Sequence, residues 1–135
     1  MRISTLILAL TFHGALLAQM GTPIALEIDN RPFSEQRLKE VFLGNKSLWN
    51  NGNPVTVVLT SSDSESFSKT ANWALDGDAF AYQKHWLSIV FQGRADAPVF
   101  LSNEQAVIDY IRNHKGAIGI LYQTEAPKEL LVQLK

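Results

Sequence analysis

The sequence predicts an α/β layered domain, and three observations carry that prediction. Residues 55–59 (Val-Thr-Val-Val-Leu) form a β-branched apolar run of strand length. Residues 117–122 (Ala-Ile-Gly-Ile-Leu-Tyr) read as a second strong strand. Around and between them lie stretches whose apolar residues recur at helical spacing. Strands that alternate with helices read as a sheet covered by helices.

Size and composition narrow the class. A chain of 135 residues holds one domain with a real core and is too short for two ordinary ones. A net charge of −1 argues against a general binder of nucleic acid. The absence of cysteine excludes disulfides, thiolate metal sites and thiol nucleophiles. Met1-Arg2 begins a positive start, and residues 3–18 form an uncharged apolar run. That run is short for a membrane span and the right size for the core of a secretory signal. The expectation is a signal peptide over 1–18, cleaved after Ala18, and a periplasmic domain over 19–135. A retained membrane helix is the competing reading.

In chain order, residues 24–28 read as a short strand and Asp29-Asn30-Arg31-Pro32 as a turn. Ser34 caps a helix, with Phe33 and Leu38 in the hydrophobic-staple arrangement. Leu38, Val41 and Phe42 give its buried face, and Gly44 stops it. Residues 45–54 are irregular, with Leu48 and Trp49 expected on the core. After the 55–59 strand comes a hydroxyl-rich turn, Thr60 to Ser64, and then a helix with Phe67, Ala71, Ala74 and Leu75 on one face. Asp76-Gly77-Asp78 breaks it. A helix over 79–91 follows, with Tyr82, Trp86, Ile89 and Val90 sharing a face, and 92–98 is a loop. Ser102 with Gln105 marks the next helix start, lined by Ala106, Val107, Tyr110 and Ile111 and closed by Lys115-Gly116. Residues 130–134 are either a terminal strand or a tail.

The turn after the 55–59 strand is the main candidate site. A strand, a hydroxyl-rich turn and a helix N-terminus gather free amides and the positive dipole end at one point, where an anion is the natural guest. The competing reading is internal capping, with Ser62 and Glu65 as a capping box. Arg94, in a glycine-containing loop, is either a bidentate oxyanion donor or a surface arginine paired with Asp96. His85 and His114 each sit beside a lysine and read as solvated surface residues. Asp76 and Asp78 lack the further oxygen ligands of a calcium loop, and no metal site is expected. Trp49, Trp73 and Trp86 read as packing residues. No hydrolase elbow, phosphate loop, dinucleotide fingerprint or zinc spacing occurs. With no assembled nucleophile, base or metal set, an enzyme is not expected, nor is a cofactor.

Several segments, taken in order, resemble the phosphate-binding proteins of ABC transporters, of the type II periplasmic binding superfamily. They are residues 41–58, which run from Val-Phe-Leu-Gly through Trp49 to the strand, then the serine turn leading to Phe67, then Trp86 to Arg94, and last Gly-Ala-Ile-Gly-Ile-Leu-Tyr at 116–122. The resemblance covers 24–122 and looks closest to short, single-lobe members of the family. It implies a three-layer single lobe, a small mixed sheet flanked by helices. It also implies a weak site for phosphate or another small oxyanion at Ser61, Ser62, Asp63, Ser64 and Ser66, with Arg94 balancing charge. The chain departs from the family in two ways. It is too short to contain the second lobe. At the loop positions where the family carries an arginine and a Ser-Gly-Thr run, it has Leu59 and Asp63, Ser64 and Glu65. The expected function is a non-enzymatic exported binding protein, or an accessory to an envelope transporter or sensor. The alternative is an envelope protein-interaction module that has lost its ligand. A homodimer is a further possibility under either reading, and nucleic acid is not an expected partner.

Overall fold

The computed structural model describes residues 19–135, so the signal-peptide expectation for 1–18 lies outside the described residues. The elements are β1 (Thr22–Ala25), α1 (Glu35–Phe42), β2 (Thr56–Thr60), α2 (Glu65–Leu75), α3 (Ala79–Phe91), β3 (Val99–Leu101), α4 (Glu104–Arg112) and β4 (Ala117–Leu121). A single 3-10 turn, Lys128–Leu130, follows. The strands form one mixed sheet in the order β1-β4-β2-β3. β2 runs parallel to both β4 and β3, with Val57 opposite Ile118 and Leu59 opposite Phe100. β1 is antiparallel to β4, with Ile24 opposite Gly119.

Both central strands are buried along nearly their whole length, as the unbroken apolar runs require. One core lies under α1, α2 and α3 and takes Val57, Leu59, Ile118 and Ile120 from the sheet. The other lies under α4 and takes Ile24, Val58 and Leu121. The result is the expected three-layer α/β domain. α4 approaches β4 closely at Gly119, where a Cβ would come within 2.7 Å of Val107 Cγ1. Gly44 turns the chain out of α1 at φ +78°. Ser34 caps α1 by accepting from Arg37 N at 3.2 Å, with Phe33 and Leu38 both buried beside it.

Several expectations shift by a residue or two. The strand expected over 24–28 starts and ends earlier, because Glu27 takes a left-handed φ of 51°. Ser62 and Glu65 form no capping box. Ser61–Ser64 closes as a turn, with Ser64 N donating to Ser61 O at 2.8 Å, and Ser64 becomes the cap. The Ser102 and Gln105 pairing fails in the same way, since Asn103 caps α4. β3 is too short to show a periodicity. Trp49 is buried as expected, but Leu48 is exposed. Ala106, Tyr110 and Val90 lie at the margins of their apolar faces, and Ile108 completes the α4 face instead. His85 is half-buried, and its Nε2 lies 2.6 Å from the Leu43 carbonyl, so it ties α3 to the end of α1. The chain end is a tail that touches the sheet through single bridges, Leu131 to Ile24 and Leu134 to Phe33.

Candidate functional site

The connections define where a small ligand would sit. From β2 the chain passes through α2 and α3 on one face to β3. From β3 it passes through α4 on the other face to β4, on the far side of β2. α2 and α4 therefore leave the carboxyl edge of the sheet toward opposite faces, and their starts flank a crevice. In open α/β sheets such a switch point is the usual ligand position. Here the crevice has a volume of about 310 Å³, and Thr60, Ser64, Ser66, Asn103, Glu104 and Thr124 are among its lining residues.

The serine turn reaches this crevice, but most of its polar groups are already used. Ser64 Oγ accepts from Phe67 N at 3.1 Å and shares a 2.7 Å hydrogen bond with Thr60 Oγ1. Ser66 is buried, and its hydroxyl donates to Glu104 Oε2 at 2.7 Å. Ser61 Oγ is 3.5 Å from the Leu101 carbonyl, the limit of a useful bond. Ser62, half-buried, and Asp63, exposed, form the tip of the turn.

Glu104 occupies the centre. It is 6% exposed and sits at the first position of α4. Its Oε2 accepts from Ser66 Oγ and from Tyr122 N at 2.8 Å, and its Oε1 accepts from Gln123 N at 3.0 Å and Thr124 N at 2.8 Å. Burial pushes this carboxyl up. The amides of Tyr122, Gln123 and Thr124 and the Ser66 hydroxyl outweigh that and hold it below the ordinary carboxylate range. At neutral pH the group is an anion on the amide-rich side of the crevice. One signal for it exists in the sequence. Glu104, Val107, Ile108 and Ile111 follow the spacing of one helix face, so the glutamate stands where an apolar residue is the norm.

Arg94 is not part of this arrangement. It shares a separate hollow with Val55 and Ser47, at the amino end of β2, whereas the serine turn follows the carboxyl end. The intervening strand spans roughly 13 Å. Its guanidinium donates to Asn45 Oδ1 at 3.0 Å, and it forms no ion pair with Asp96 among the described residues. Parallel pairing of β2 and β3 puts the loop before β3 at the opposite end from the turn after β2. The composite of serine hydroxyls and Arg94 is therefore not brought together.

A second surface is apolar. α3 turns Tyr82, Trp86 and Ile89 to the core and carries Gln83, Lys84 and Ser88 among its outward residues. On its outer side Phe80, Leu87 and Phe91 are 67%, 59% and 82% exposed. Beside the helix runs a groove of about 300 Å³ whose lining includes Phe67, Trp86, Leu87, Val90, Pro98 and Phe100. Phe100 belongs to β3, the edge strand, and its ring lies 6.1 Å from that of Phe67.

Compared with known proteins, the chain matches no protein-family model and shows no significant similarity to any curated protein.

Proposed function

We propose that the chain is a non-enzymatic module of the cell envelope that docks another protein through the α3–β3 groove and does not capture a small anion. The observation that carries this reading is the outer face of α3. Phe80, Leu87 and Phe91 stand exposed together on that face, with Phe100 beside the groove, and large aromatic side chains gathered at one exposed place mark a contact surface. The neighbouring edge strand adds backbone groups on its open side that an incoming strand can pair with. The crevice at the switch point supports the same reading from the other direction. Its amide donors face Glu104, and neither a lysine nor an arginine lines it. A phosphate there would meet the anionic Glu104, which has no lysine or arginine partner among the described residues, and like charges repel most where water is scarce. An envelope transporter or sensor component fits as the partner class, in keeping with the accessory role implied by the family resemblance.

A photo-reactive side chain placed at Leu87 or Phe100 tests this in intact cells. The expected result is one discrete crosslinked adduct at both positions, weakened by Phe91→Ser and absent when the probe sits at Asp109 on the opposite layer. A diffuse pattern, the same from the groove as from Asp109, contradicts docking here. Light scattering on the purified protein shows whether the partner is a second copy.

A further inference from the structure

We infer that the amides of Tyr122, Gln123 and Thr124, together with the Ser66 hydroxyl, form a carboxylate receptor whose resident ligand is the chain's own Glu104. Each carboxylate oxygen accepts two hydrogen bonds of 2.7–3.0 Å, which uses both oxygens fully. Three of the four donors are backbone groups on one loop after β4, so the cradle is set by the chain path. The fourth is held by Ser66, near the start of α2 and on the other side of the crevice. The charge rests on amide dipoles and two helix starts. An external oxyanion finds this position taken, and Glu104 locks the starts of α2 and α4 to the end of β4.

The geometry also defines what would fit if the resident group were removed. Glu104→Ala deletes Cγ and the carboxyl group, and those atoms have the heavy-atom outline of acetate. The crevice between Ser64, Asn103 and Thr124 gives a small monocarboxylate a way in. The four donors are divided two to each oxygen of a carboxylate, so phosphate, with four oxygens, would leave oxygens unserved.

Thermal melting of the Glu104→Ala protein in acetate, formate, phosphate and ionic-strength-matched chloride tests the inference. Acetate at ten times its dissociation constant should raise the midpoint by about 5 °C, with formate doing less, phosphate and chloride nothing specific, and the wild type unmoved. A folded variant that responds to acetate no more than to chloride overturns the receptor. So does a wild type that responds as strongly as the variant. A wild-type measurement decides the matter even if the variant fails to fold. On acidification the amide resonances of Tyr122, Gln123 and Thr124 should move together with the Glu104 carboxyl resonance, along one titration curve. Three amides that stay still, or follow separate curves, show that Glu104 is not their common ligand.

Discussion

Replacing Glu104 with glutamine changes the charge and one acceptor while keeping the shape, and the structure sets the size of the effect. A carboxamide offers one oxygen where the carboxylate offers two. With that oxygen turned toward Gln123 N and Thr124 N, its amide group faces Ser66 Oγ and Tyr122 N. The serine hydroxyl can rotate to accept, but the Tyr122 N–H then points at another donor. One orphaned buried donor costs about 2 kcal/mol, and loss of charge assistance weakens each of the two remaining bonds by roughly 1 kcal/mol. Relief of the buried charge returns on the order of 1 kcal/mol, leaving a net loss of about 3 kcal/mol. With a urea m-value of about 1.5 kcal/mol/M for a domain of this size, the unfolding midpoint falls by roughly 2 M. Glu65→Gln is the control. Glu65 lies on the rim of the same crevice, but its ion pair with Lys69 is exposed, and its loss is within about 0.5 kcal/mol. If Glu104→Gln unfolds within about 0.3 M of the wild type, the four-bond account of this residue is wrong.

Three further outcomes follow from the same geometry. Ser64→Ala should cost about 1 kcal/mol in chemical denaturation while Ser62→Ala costs a few tenths at most, because only Ser64 caps α2; equal losses would restore Ser62 as the cap. Gly119→Ala should destabilise by roughly 1–3 kcal/mol, since the new methyl group enters Val107 and Ile111, and a neutral result would mean that α4 sits farther from β4. Glu104's contribution is fully present above the unfolded carboxyl value of about 4.3 and is lost as pH falls through its lower folded value. Wild type should therefore lose more stability than Glu104→Gln between roughly pH 5 and pH 3, and parallel curves would contradict the shift.

The layers could be read from the sequence because long, one-sided signals specify them. The apolar runs of β2 and β4 are buried on both faces, and α3 spans the expected residues, 79–91. The Ser34 staple worked because only one capping residue stands there. In the serine turn several good caps stand in a row and differ by a fraction of a kilocalorie. Closure of the Ser61–Ser64 turn chose Ser64, and a similar choice fell on Asn103. Arg94 needed topology rather than local pattern, since only the parallel pairing of β2 and β3 shows which end of the sheet its loop occupies. Glu104 depends on contacts across the chain, from Ser66 to Thr124, and its one local trace is a charge in an apolar stripe.

The most direct measurement is an amide-resolved NMR titration of the wild-type protein with millimolar phosphate. The switch point is held to be filled from within, so the amides of Ser61–Ser66 and Tyr122–Thr124 should show no saturable shift beyond that of matched chloride. Saturable shifts confined to those amides would mean that an outside oxyanion enters where Glu104 is said to sit.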